Sequence, residues 1–149
     1  MSDKMLVKIT LESTQDGSTG VHIYNGEWFR KERSIYIRYE EIPAGGTDAD
    51  QIRTLVRYRT NELSIARRGA VEAEQLFMTG VTRRDGFYKS PYTSFRMETD
   101  TKRLAAAPKD GREGAELVPP FLIEWEYDLW VNEQLSGRFQ NKLHVDQRV

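Results

Sequence analysis

The chain of 149 residues contains no cysteine, which removes disulfides, thiolate nucleophiles and Cys-ligated zinc together. Histidine is nearly absent too, occurring only as His22 and His144. A His-based triad would also need a serine on a strand-to-helix turn, and nothing like Gly-x-Ser-x-Gly is present. A zinc site would require more ligands at short spacing. No run approaches the ~20 apolar residues of a membrane-spanning helix. The opening MSDKMLVKITLEST has neither a long apolar run nor a small-residue cleavage site, so it does not read as a signal peptide. An excess of one charge is also missing. The 22 basic and 23 acidic residues leave a net charge of −1, whereas a nucleic-acid-binding domain is usually strongly basic. These absences predict a cytoplasmic protein with no nucleic-acid or membrane partner, no cofactor, no metal and no catalytic residue that the sequence can assign.

What is present is a single domain's worth of chain, 1–149, able to bury roughly 70% of its unfolded surface without staples. Hydrophobic residues make up 38% and charged residues 30%, a balance suited to an antiparallel sheet with one wet face. The dominant signal is alternation of period two. Met5, Val7, Ile9 and Leu11 alternate with polar residues; Leu6 is the exception. Gln15–Ser18 reads as a turn, and a second strand covers Val21–Lys31, with Asn25-Gly26 marking either a hairpin turn or a bulge. Ser34–Glu41 and Gln51–Thr60 alternate again, separated by the loop Pro43–Asp50. Leu63–Arg68 and Ala70–Thr79 follow. VEAEQLFM has residues that favour helix, but it is too short for a typical helix and reads as strand. Arg83–Gly86 is expected to turn. Phe87–Tyr92 and Ser94–Leu104 form two strands or one bent strand around Pro91. Ala105–Pro120 is expected to be a mobile surface loop, and the last two strands span Phe121–Val131 and Leu135–Val145. About eight to ten antiparallel strands with short connections leave edges that closure removes. The predicted fold is therefore all-β: a single, mostly up-and-down antiparallel barrel, with a sandwich as the second choice.

Several segments carry a family resemblance. Arg67-x-Gly69, followed by Gln75-x-Phe77 and Gly80, resembles the central motif of the YwiB-like family of bacterial β-barrel proteins. Ser34–Glu41 (SIYIRYEE), Tyr88–Tyr92 (YKSPY) and Asn141-Lys142-Leu143 resemble three further family elements in the same order. One departure is visible: the family continues Pro-Tyr-Gly, whereas Thr93 stands in the glycine position. The resemblance implies a calycin-like barrel, related in fold to lipocalins, in a family without a characterised activity. Barrel mouths host small-ligand sites in such folds, though fold by itself does not confer function.

Strand parity then singles out the candidate site. Arg67 shares a face with Leu63 and Ile65, and Gln75 with Val71, Ala73 and Phe77. Asn141 lies among Phe139, Leu143 and Val145, and Glu41 follows Ile35, Ile37 and Tyr39. Polar groups on an inward face are costly unless paired. Two arrangements satisfy them. In one, Arg67, Gln75, Glu41, Tyr39 and Asn141 line a cavity that binds a small anionic or amphipathic ligand, with the guanidinium fork on the anion. In the other, Arg67 pairs with Glu41 or Tyr39 and plugs the barrel. Gly26-Glu27-Trp28 echoes a lipocalin Gly-x-Trp but reads as a bulge and a packing tryptophan. Arg53, Arg57 and Arg59 read as a solvated face offset by Glu72 and Glu74. Leu55, Leu76, Met78, Leu122 and Trp130 point outward and suggest a homodimer face.

Overall fold

A computed structural model describes residues 4–42, 45–80, 83–110 and 116–148. Ten strands appear in chain order: β1 (Lys4–Gln15), β2 (Ser18–Lys31), β3 (Ser34–Glu41), β4 (Ile52–Arg59), β5 (Glu62–Gly69), β6 (Glu72–Met78), β7 (Arg84–Lys89), β8 (Ser94–Pro108), β9 (Phe121–Val131) and β10 (Gln134–Gln147). Each pairs antiparallel with its chain neighbour, and β1 closes on β10 from Val7↔Gln147 to Gln15↔Phe139. The result is a closed up-and-down barrel, as the alternation predicts. The one other element among the described residues is a short 3-10 turn at Asp48–Asp50. No helix among them is long and apolar enough to cross a membrane.

The alternating apolar positions meet inside. Val7, Ile9, Ile37, Leu63, Phe121, Ile123 and Val145 are fully buried, with Trp28, Phe77 and Trp125 among them. Leu117 and Val118, on the segment before β9, pack against this core, and Glu116 of the same segment bonds Arg30 at 2.6 Å. That segment fills the barrel end carrying the β2–β3, β4–β5 and β8–β9 connections. The opposite end carries the β1–β2, β3–β4 and β5–β6 connections.

Three local expectations are corrected. Ala105–Pro108 belongs to β8, because the ladder with β9 continues from Ala105↔Glu124 to Pro108↔Phe121. Alanine has weak strand propensity, and pairing overrides it. The predicted loop therefore shrinks, and residues 111–115 of it lie outside the described residues. Arg84, Asp85 and Gly86 are likewise strand rather than turn, paired with Thr99, Glu98 and Met97. Asn25-Gly26 is neither turn nor bulge. The registers Val7↔Gly26 and Gly26↔Tyr39 run through without a shift. Gly26 is required there by crowding: a Cβ would sit 2.4 Å from the Arg38 carbonyl oxygen and 2.7 Å from Ile9 Cδ1. Of the Pro43–Asp50 loop, Pro43 and Ala44 lie outside the described residues.

Other expectations are sharpened. VEAEQLFM is strand from Glu72 onward. Thr93 needs no positive φ; its turn is closed by the Ser90 amide donating to the Thr93 carbonyl at 2.8 Å, and Ser90 Oγ accepts from the Tyr92 and Thr93 amides. Two arginines of the stripe, Arg57 and Arg59, are balanced by Glu62 rather than Glu72 or Glu74. Arg57 and Arg59 reach Glu62 at 3.6 and 2.6 Å, while Glu74 meets Arg68. The outward apolar residues do not form one patch. Leu55 and Leu76 share a shallow outer depression with Tyr36, whereas Leu122 and Trp130 stand eight residues apart on β9, roughly 26 Å along the strand. The Trp130 ring is covered by the Arg83 guanidinium at 3.8 Å.

Candidate binding cavity

At the end opposite the packed segment, the interior opens into a cavity of about 720 Å³. All five residues predicted from parity line it: Tyr39, Glu41, Arg67, Gln75 and Asn141. They arrive from four non-adjacent stretches of sequence. What brings them together is the barrel register, which sets Tyr39 opposite Thr54 and Thr54 opposite Arg67 across β3, β4 and β5.

Glu41 is the hub. Arg67 Nε donates to its Oε2 at 3.2 Å and Nη2 to its Oε1 at 3.4 Å. Thr54 Oγ1 donates to Oε2 at 2.6 Å and the Tyr24 hydroxyl to Oε1 at 3.3 Å. Of the two partners considered for Arg67, the structure pairs it with Glu41 and not Tyr39. Bonds that a carboxylate accepts are charge-assisted and stronger than neutral ones, so this set fixes the carboxylate and the arginine together. Tyr24 in turn stacks on Tyr39 with centroids 4.6 Å apart. Burial pushes the Tyr24 hydroxyl up to about 12, and the Glu41 charge adds to that. Tyr39, more deeply buried, is raised further by the same two causes.

A second polar group stands on the other wall. With its amide oriented to satisfy both ends, Asn141 Nδ2 donates to Ser13 Oγ at 2.7 Å and Oδ1 accepts from the Trp125 indole at 3.3 Å. One side chain thereby joins β1, β9 and β10. Burial raises the Tyr127 hydroxyl, and hydrogen bonding with the Gln75 and Asn141 amides partly counters the rise. Gln75 Nε2 also points at Met97 Sδ, 3.7 Å away. Between the two polar groups the lining is apolar, from Leu11, Val56, Ile65, Phe77 and Leu143.

The hairpin that carries Arg67 and Gln75 depends on Gly69. Its φ is +133°, and a Cβ there would lie 2.2 Å from the Gln51 carbonyl oxygen. The same oxygen accepts from the Ala70 amide at 3.3 Å. Gly69 therefore lets the β5–β6 turn close over the start of β4, which fixes where Arg67 emerges.

His22, Tyr24, Thr54, Trp125 and Tyr127 also line the cavity, and sequence reasoning did not single them out. For β2 the signal was available. Once the strand is continuous through Gly26, the inward parity of Trp28 extends to Tyr24 and His22. His144 lies on the outer face and meets Glu12 at 2.8 Å.

A closed ten-stranded antiparallel barrel, packed at one end and opening at the other on a cavity with two polar groups in an apolar lining, defines the class of protein. The chain belongs to the family described as domain of unknown function DUF1934, whose model matches residues 7–143. That span includes every motif on which the resemblance was read. Among solved structures the chain is similar to the YwiB protein from Bacillus subtilis, with a TM-score of 0.73. The two are 19% identical over 99% of this chain and 94% of that one. The family match bears out the expected family, and the structural likeness bears out the expected antiparallel β-barrel. No curated protein sequence matches the chain.

Proposed function

We propose that the barrel binds a small amphipathic molecule with an anionic group, held inside the open end in the manner of a calycin-like ligand barrel. The observation that carries this reading is the cavity beside Arg67; its volume of about 720 Å³ falls within the ordinary ~300–1,000 Å³ range of small-molecule sites. A guanidinium has two edges able to bind in a fork. Glu41 takes the Nε/Nη2 edge, and among the described residues nothing bonds Nη1. The end-on Nη1/Nη2 edge remains for a ligand carboxylate or sulfonate. Glu41 then acts as the positioning residue, holding the arginine at a fixed angle. The apolar lining between Arg67 and Asn141 accommodates the hydrocarbon or aromatic body.

The same ion pair supports a second reading, a plugged barrel serving as a non-catalytic structural or interaction module. Titration with anilinonaphthalene sulfonate, an anionic amphipathic fluorophore, separates the two. The ligand reading expects saturable binding of one dye per chain with quenching of Trp125. It also expects affinity to fall about 10-fold or more in Arg67→Met, the value of a hydrogen bond to a charged group. The double variant Glu41→Gln/Arg67→Met leaves neither charge without its partner and serves as the folded control. Absence of saturable binding, or equal affinity in the variants, favours the plug.

A further inference from the structure

We propose that the protein self-associates by pairing the free edge Ser18–Asn25 of β2 with the same edge of a second copy, antiparallel about a two-fold axis at His22. This rests on the edge itself and is independent of the ligand reading. β1 pairs with β2 along its whole length, from Lys4↔Phe29 to Gln15↔Ser18. β3 pairs only with Gly26–Lys31. Among the described residues no other backbone hydrogen bond reaches Ser18–Asn25. Among the described residues these eight residues of extended chain thus have a ladder partner on one side alone.

Sheet edges of this length are ordinarily defended by charge, proline or a bulge. This one, STGVHIYN, has none of them. The charged residues of the strand, Glu27, Arg30 and Lys31, all lie in the half that β3 covers. Val21 and Ile23 point outward from the free half, 54% and 60% exposed.

The edge is complementary to itself in the register centred on His22. Residues directly opposite each other in an antiparallel pair face the same side of the sheet, so the axis must pass through a residue. Centred on His22, Val21 faces Ile23 of the second copy and Ile23 faces its Val21, gathering four β-branched side chains on the outer face. Tyr24 faces Gly20 of the second copy. A Cβ at Gly20 would meet only His22 Nε2, 4.0 Å away, so nothing crowds the approach at that position. Thr19 faces Asn25. Centring on Gly20 leaves Ile23 without a partner, and centring on Tyr24 sets Val21 against Glu27. The net charge of −1 offers little repulsion between copies. An interface built on one strand edge is small, which places the dimer in the weak, concentration-dependent class. His22 and Tyr24 also line the cavity, so the two cavity mouths would sit side by side.

Sedimentation velocity on the full chain over a concentration series tests this, with two variants. The wild type is expected to shift toward twice the monomer mass as concentration rises. Ile23→Lys, which puts like charges into the outer cluster, is expected to remain monomeric with an unchanged circular dichroism spectrum. His22→Cys is expected to form a disulfide-linked dimer on mild oxidation, because the paired Cα atoms lie about 4.5–5.5 Å apart, within disulfide reach. The chain has no cysteine of its own, so any cross-link reports the introduced site. Leu55→Cys, on the outer strand face, is expected to stay uncross-linked. A wild type monomeric at every concentration would overturn the proposal. So would a dimer that survives Ile23→Lys, or cross-linking through Leu55→Cys instead of His22→Cys.

Discussion

Breaking the Arg67–Glu41 pair from either side, and from both at once, measures what the polar hub contributes to the fold. Arg67→Met leaves Glu41 with its bonds from Thr54 and Tyr24 but removes two charge-assisted ones. The side chains are 32% and 19% exposed, between the surface and buried limits. Exposed pairs are worth ~0–1 kcal/mol, and breaking a buried pair costs ~3–5 kcal/mol. The expected loss is therefore about 2 kcal/mol for Arg67→Met and similar for Glu41→Gln, which strands the guanidinium. The double variant should lose about 2–3 kcal/mol, since it leaves no lone charge, giving a coupling of about 1–2 kcal/mol. For a chain of this size about 2 kcal/mol lowers the midpoint by roughly 4–8 °C. Urea unfolding followed by fluorescence of the buried Trp28 and Trp125 reads all four proteins. A coupling below about 0.3 kcal/mol would mean that water, not Glu41, satisfies Arg67, and the hub would lose its meaning.

Two further outcomes follow from geometry. Tyr24 and Tyr39 both keep their protons more tightly in the folded chain than the ordinary tyrosine value of about 10. The unfolded chain therefore releases them first as pH rises. The stability they contribute is fully present below pH ~10 and is lost from there upward through the folded values. Tyrosinate absorbance should show late-ionising phenols, Tyr24 and Tyr39 among them with Tyr58 and Tyr127, coinciding with base unfolding; if every tyrosine ionises near 10 with the fold intact, the buried stack is wrong. Gly69→Ala should cost more than about 2 kcal/mol, from a clash with Gln51 and an unfavourable φ together. Gly80→Ala, with φ +81° but open space around it, should cost about 1–2 kcal/mol. Equal melting temperatures for the two variants would refute the crowding argument.

The barrel was legible because its code is local. Alternation of period two decides which side of a strand each residue faces, and short turns leave each strand beside its predecessor. Those two rules alone put Tyr39, Glu41, Arg67, Gln75 and Asn141 on the inner face. They failed where identity and position disagree. Ala105–Pro108 lacks strand propensity and is strand only because β9 lies beside it. Arg84–Gly86 has turn composition and pairs with β8 nonetheless. Gly26 resembles a break and is instead the residue that lets Arg38 and Ile9 approach.

By itself, then, the sequence determined the all-β class, the strand order and the inward parity of the polar set, each a property of neighbours along the chain. Only the tertiary structure decided that Glu41, Thr54, Tyr24 and Arg67 share one hydrogen-bonded hub. It alone decided that one barrel end is packed by Leu117 and Val118 while the other opens on a cavity, and that β3 leaves half of β2 uncovered. Those outcomes depend on register and on where strands of unequal length stop, and neither is written in the alternation of any one strand.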